Sequence, residues 1–126
     1  QALESPAWVL GDAIRLEQVL VNLIRNALDA VANSAQPRIE LTLRRDGEHW
    51  CLEVADNGPG IDEAHLASVF DPFFTTKPVG EGLGLGLAVS YGIVHELGGR
   101  LGAANQPSGG AVFRLSLPAA SEESRP

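Results

Sequence analysis

Two asparagines one helical turn apart, Asn22 and Asn26, are among the residues in this chain best suited to chemistry. With Arg15, Gln18 and Asp29 they recur every three or four positions, which aligns them as one polar stripe along a helix. A stripe of this kind can be a solvated face and nothing more, and that reading is sufficient for Arg15 and Gln18. Asparagine is a mediocre helix former, however, and glutamate or lysine would serve a solvated face better. Amide oxygens one turn apart can instead bind a hard cation such as Mg²⁺, one that keeps several waters and shares phosphate ligands.

Further along stands Asp56-Asn57-Gly58-Pro59-Gly60-Ile61. As a lone motif it is a turn, since Asp, Asn, Gly and Pro are the usual turn residues. It can also be a base-recognition element, in which a carboxylate at a strand end accepts a hydrogen bond from an exocyclic amine while glycines let a flat ring approach the backbone. Adenine carries such an amine where guanine has a carbonyl. The run Gly80-Glu81-Gly82-Leu83-Gly84-Leu85-Gly86 then sets glycines at every second position ahead of a helical pattern. Bare backbone N–H groups before a helix N-terminus can hold phosphate; the alternative is a flexible linker. No Gly-Lys-Ser/Thr occurs, and these glycines follow a long loop and not a strand, so neither a P-loop nor a dinucleotide fingerprint fits.

Positioning these residues requires elements that the periodicity supplies. Apolar residues at Leu16, Val19, Leu20, Leu23, Ala27 and Val31 predict an amphipathic helix over residues 14–31, with Asp12 as its cap. Ile39, Leu41 and Leu43, then Trp50, Leu52 and Val54, alternate around an Asp46-Gly47 turn and predict a hairpin with one buried face. A short helix is expected over residues 62–70 and a longer one over 85–97, ending at Gly98-Gly99. Strands follow near 100–104 and 111–117. Helix, hairpin, long loop, helix and hairpin together predict an α+β domain: a two-layer sandwich with helices packed on one face of a mixed, mostly antiparallel sheet. The domain should span residues 1–118, with 119–126 a frayed tail.

Bulk composition narrows the functional classes. With 126 residues, 44% of them hydrophobic, the chain suits one globular domain, and its net charge of −7 argues against a broad nucleic-acid surface, which needs clustered Lys and Arg. A single cysteine, Cys51, excludes an intramolecular disulfide and a Cys-based metal cluster. No apolar stretch approaches the roughly 20 residues that span a bilayer, so no direct membrane contact by this domain is expected.

Taken together and in order, these motifs resemble the histidine kinase catalytic domain of the larger family that includes gyrase, Hsp90 and MutL ATPases. Asn22-Leu23-Ile24-Arg25-Asn26-Ala27 is similar to that family's N box, Asp56 to Ile61 to its first glycine box, Phe70-Asp71-Pro72-Phe73-Phe74-Thr75-Thr76-Lys77 to its F box, and Gly82 to Gly86 to its second glycine box. The wording DPFFTTK and GLGLGL most resembles the nitrogen-regulation and dicarboxylate-sensor group of two-component kinases. The resemblance implies the Bergerat ATP-binding fold, with ATP and Mg²⁺ as ligands. It implies Asn26, with Asn22, at the Mg²⁺; Asp56 on the adenine amine; and Gly58, Gly60 and Ile61 shaping the adenine pocket. Gly82, Leu83, Gly84, Leu85 and Gly86 would line the phosphates. Thr76 and Lys77 of the F box would lie near the nucleotide, Lys77 being either a cation for the terminal phosphate or a solvated lysine, while Phe70, Phe73 and Phe74 would anchor their loop in the core. Asp29 departs from the pattern, since many relatives carry a basic residue there.

The implied reaction is transfer of the γ-phosphate to a histidine on a separate dimerisation domain of the same parent protein, with a response-regulator receiver downstream. An ATP hydrolase of the same fold and a non-catalytic nucleotide-binding module are the alternatives. Hydrolytic relatives carry a glutamate one turn before the Mg²⁺ asparagine, where this chain has Asn22, and an amide takes no proton at neutral pH. His49, His65 and His95 read as ordinary surface or core residues, so the acceptor histidine should lie elsewhere. The fragment is expected to be monomeric and cytoplasmic, with or without an inner-membrane anchor in its parent. Residues 71–86, rich in Pro and Gly, are expected to be mobile without ligand and to order more with Mg-ATP than with ADP.

Overall fold

The computed structural model describes residues 6–71 and 86–118, with side chains from residue 12 onward. Thr76, Lys77, Gly82, Leu83, Gly84 and Leu85, together with Phe73, Phe74, most of the 71–86 segment and the C-terminal tail, lie outside the described residues.

Helix α1 spans Pro6–Ala30. It therefore starts earlier than the apolar periodicity indicates, and Asp12 lies within it instead of capping it. Proline suits the first helical position, where its missing N–H would have no partner, and Asp12 pairs with Arg15 one turn on, at 3.8 Å. The α1 core face is the predicted one: Val19 and Leu23 are fully buried, Ala27 and Val31 nearly so. Helix α2 spans Gly86–Glu96 and packs beside α1. Arg15 reaches across to Glu96 near the C-terminal end of α2, so it ties the two helices together as well as facing solvent.

Among the described residues four strands form the sheet: β1 Ile39–Asp46, β2 His49–Asp56, β3 Arg100–Asn105 and β4 Ala111–Pro118. Their order is β1-β2-β4-β3, so the last strand inserts between β2 and β3. Every pairing among the described residues is antiparallel, and none shows the mixed character expected from the sequence. In the first hairpin Asp46 pairs with His49, so the turn is Gly47-Glu48, one residue later than the composition suggests. That hairpin does not bury one whole face. Leu41 and Leu43 are 54% and 64% exposed because β1 is the sheet edge, whereas α1 lies on β2 and α2 on β3.

Between the helices and the sheet sits one cluster in which Val19, Leu23 and Ala27 of α1 and Val94 of α2 meet Val54, Leu101, Phe113 and Leu115. Phe70 joins its edge, stacked on Tyr91 at 5.2 Å between centroids and edge-on to Phe113 at 6.1 Å, which is the anchoring role expected of it. A 3-10 helix at Glu63–Ser68 stands where a short helix was predicted, capped by Asp62, which accepts from the Ala64 N–H. Among the described residues no helix is long and apolar enough to cross a membrane. Among the described residues two polar side chains are buried, Asp56 and Ser90, and both bear on the site below.

Candidate functional site

A half-open cleft of about 940 Å³ lies where the C-terminal end of α1, the end of β2, the 3-10 helix and the start of α2 converge. This size suits a nucleotide or similar small molecule. Ile61, Val69, Leu87 and Phe113 give it apolar walls, and Asn26, Asp29 and Asp56 its principal polar groups. The cleft thus gathers Asn26, Asp56, Gly60 and Ile61 from the residues singled out in sequence.

Asp56 is 2% exposed at the end of β2. Its Oδ1 accepts hydrogen bonds from the Gly58 N–H at 2.9 Å and the Ala111 N–H at 3.4 Å. Its Oδ2 is buried and meets no hydrogen-bond donor among the described residues, and Asp56 is one of the residues that line the cleft. Buried acceptors are nearly always satisfied, because desolvation without a partner costs about 1–3 kcal/mol. An orphaned carboxylate oxygen beside a cleft is therefore a place for a ligand's N–H donor. Asn57 beside it serves the scaffold: its Oδ1 accepts from the Arg38 N–H and its Nδ2 donates to the Gln36 carbonyl, both at 2.8 Å.

The glycines of this motif answer to protein packing before any ligand. A Cβ on Gly58 would sit 2.5 Å from the Ala30 carbonyl oxygen at the end of α1, and one on Gly60 would sit 2.9 Å from Asn105 Oδ1. Their smallness lets the loop close against α1 on one side and the β3–β4 turn on the other, a reason different from the approach of a flat ring. Asn105 and Gln106, which the sequence reading did not single out, complete the frame. Asn105 Oδ1 accepts from the Ile61 N–H at 2.7 Å, its Nδ2 donates to the Ile61 carbonyl at 2.6 Å, and Gln106 Nε2 donates to the Asp56 carbonyl at 3.0 Å. The only local signal was an Asn-Gln ahead of Pro107-Ser108-Gly109-Gly110, which reads as a turn.

The two asparagines of α1 separate in role. Asn26 lines the cleft, with its amide available to a ligand or to a cation carried by one. Asn22 points at α2: its Nδ2 donates to the Gly86 carbonyl at 3.2 Å and to the fully buried Ser90 Oγ at 3.1 Å. Asn22 thus pins the first turn of α2, and only its Oδ1 is left for a metal. Among the described residues no three His, Cys, Asp or Glu side chains gather as a cation cage. The donor set suits a Mg²⁺ that arrives with phosphate ligands and takes one or two amide oxygens from the protein. Asp29 also borders the cleft, as does His65 on the 3-10 helix, which places that histidine at the site and not on an unremarkable surface. His49 is exposed, and His95 is exposed and stacks on Tyr91 at 4.9 Å.

This fold and cleft define a class of ATPase-like domains, and the chain belongs to the histidine kinase-, DNA gyrase B-, and HSP90-like ATPase family, matched over residues 11–121. Its relatives are sensor kinases. It is 47% identical over 115 residues to the C4-dicarboxylate transport sensor protein DctB of Pseudomonas aeruginosa, covering 90% of this chain and 19% of that protein. It is 43% identical over 115 residues to the sensor protein FixL of Bradyrhizobium diazoefficiens, covering 90% of this chain and 22% of that one. The chain therefore spans about a fifth of the length of these curated relatives. Among solved structures, the nucleotide-free catalytic domain of histidine kinase ThkA matches with a TM-score of 0.74 at 33% identity, covering 86% of this chain and 69% of that one. Full-length ShkA in complex with AMPPNP matches with a TM-score of 0.70 at 33% identity, covering 85% of this chain and 22% of that one.

Proposed function

We propose that this chain binds Mg-ATP in the cleft and donates the γ-phosphate to a histidine on a separate helical dimerisation domain of the same parent, for onward transfer to a response-regulator receiver. The observation that carries the reading is the orphaned, buried Oδ2 of Asp56, an acceptor suited to the amine of adenine and unsuited to the carbonyl of guanine. Asn26, which lines the cleft, would supply an amide oxygen to a bound Mg²⁺ that offsets the phosphate charge, and Asn22, whose nitrogen holds the start of α2, would have its remaining oxygen to offer the same cation.

Transfer to another acceptor is favoured over hydrolysis by Asn22. Its amide takes no proton, and its nitrogen is already committed to Gly86 and Ser90, so the cleft lacks the base that would activate water from that position. A cytoplasmic setting, where ATP is abundant, fits this chemistry.

The test is incubation with γ-labelled ATP. Alone, the chain should neither retain label nor turn ATP over rapidly; adding the parent's helical domain in trans should label that domain's histidine. Stable label on His49, His65 or His95, or fast hydrolysis by the chain alone, would overturn the proposal. In the same assay Asn26→Ala should abolish transfer and remove the metal-dependent part of ATP affinity. An affinity that falls by one factor with and without Mg²⁺ would take Asn26 away from the metal.

A further inference from the structure

We infer that Asn105 and Gln106, at the β3–β4 turn, are positioning residues that hold the base-recognition loop rigid, and that the preference for adenine over guanine depends on them. The inference rests on the reading of Asp56 given above and extends it from the group that touches the base to the groups that fix where that group sits.

Selectivity by a lone acceptor requires that the acceptor stay put. When guanine presents a carbonyl to Asp56 Oδ2, two acceptors face each other, and the clash is relieved if the loop moves outward by enough to admit a water between them. A loop of Asn, Gly, Pro and Gly on its own would move easily, since glycine backbones have wide conformational freedom. Three contacts from the β3–β4 side oppose that movement. Asn105 grips both backbone polar groups of Ile61, at 2.7 and 2.6 Å, and Ile61 is itself a wall of the cleft. Gln106 holds the Asp56 carbonyl at 3.0 Å, and its own N–H is bound to the Gly110 carbonyl at 2.8 Å, so its backbone is fixed by the turn. The loop is thereby held at both ends, Asp56 and Ile61, by two adjacent residues, Asn105 at the end of β3 and Gln106 just beyond it. A cyclic pair of bonds such as the one on Ile61 also resists rotation, which a single bond does not.

The opposite flank of the loop is already closed by Gly58 against Ala30. The loop is therefore held between α1 and the β3–β4 turn, and on the turn side the hold is made by the hydrogen bonds of Asn105 and Gln106.

Calorimetric titration with ADP and with GDP in the presence of Mg²⁺ tests this, with the unmodified chain, Asn105→Ala, Gln106→Ala, Asp56→Asn and the exposed turn control Ser108→Ala. A hydrogen bond of this kind shifts an equilibrium by about threefold to tenfold, so Asn105→Ala, which removes two, should narrow the ADP-over-GDP preference by about tenfold or more. Gln106→Ala should narrow it by about threefold, and Ser108→Ala should leave it unchanged. If Asn105→Ala does not fold, Asn105→Asp keeps the acceptor for the Ile61 N–H, loses the donor to the Ile61 carbonyl, and should still narrow the preference. An equal loss of ADP and GDP affinity in the Asn105 variants would assign Asn105 to loop folding alone and overturn the inference. A preference that survives in Asn105→Ala and Gln106→Ala but disappears in Asp56→Asn would overturn it while sparing the adenine reading. A preference that survives in Asp56→Asn would overturn both.

Discussion

Asp56→Asn is expected to lower ATP affinity by about 5- to 150-fold, the equivalent of about 1–3 kcal/mol for a buried polar contact left unmatched. The direction follows from the two backbone N–H groups, of Gly58 and Ala111, that both bind Oδ1. They orient the new amide, because its oxygen must stay with those donors and its nitrogen must take the Oδ2 position. A donor then faces the adenine amine, itself a donor, and the contact turns repulsive. Guanine presents a carbonyl there, so GTP should lose less than ATP or gain. Titration of the variant with both nucleotides decides the matter: a uniform loss for ATP and GTP would remove Asp56 from base recognition and leave it as a loop-folding residue. Asp56→Ala should weaken ATP and narrow its advantage over GTP without reversing it, since it removes the acceptor and adds no donor.

Gly110→Ala should destabilise the whole domain. Gly110 has φ +90°, and a Cβ built there would fall 1.9 Å from the Asp56 carbonyl oxygen and 2.9 Å from the Asn57 Cα. Backbone strain for a non-glycine residue costs about 1–3 kcal/mol, and overpacking adds about 1–3 kcal/mol more. Neither contact can be eased by a side-chain rotation, because both neighbours are main chain. For a domain of this size the sum corresponds to a fall in Tm of roughly 10 °C or more. Gly109→Ala is the matched comparison: its φ is +107°, but a Cβ there would meet nothing within 4 Å, so only the strain remains. Thermal unfolding of the two variants should therefore give a clearly larger loss for Gly110→Ala. Equal losses would mean that the close approach to Asp56 carries no weight. A nucleotide titration of whatever Gly110→Ala still folds should also show weakened ATP binding, since the atom displaced belongs to Asp56 itself.

Much of this architecture was legible from pattern. The spacing of Val19, Leu23 and Ala27 identified the face of α1 that enters the core, because a helix brings every third or fourth residue to one side. Alternation in the first hairpin identified its two strands for the same kind of local reason. Asp56-Asn57-Gly58-Pro59-Gly60 marked a loop that borders the cleft, and Asn26 marked a polar part of its wall.

Other features depend on which elements become neighbours. Leu41 and Leu43 alternate as well as Leu52 and Val54 do, yet stay exposed because β4 pairs with β2 and leaves β1 at the edge beyond the helices. Periodicity reports which residues share a face; it does not report whether anything covers that face. Asn22 looked equivalent to Asn26, but its nitrogen is taken by Ser90 and Gly86, more than 60 residues away in the chain. Asn105 and Gln106 carried no local sign of their part, since their partners Ile61 and Asp56 lie 44 and 50 positions away. The amino-acid sequence by itself determined the helices and strands, the buried stripe of α1 and the carboxylate at the loop, since each depends on residues within a few positions of one another. The tertiary structure alone decided which oxygen of Asp56 is left without a donor, why Gly58, Gly60 and Gly110 must lack a side chain, and which turn holds the loop after β2, because those outcomes arise where strands and helices far apart in the chain are pressed within hydrogen-bonding distance.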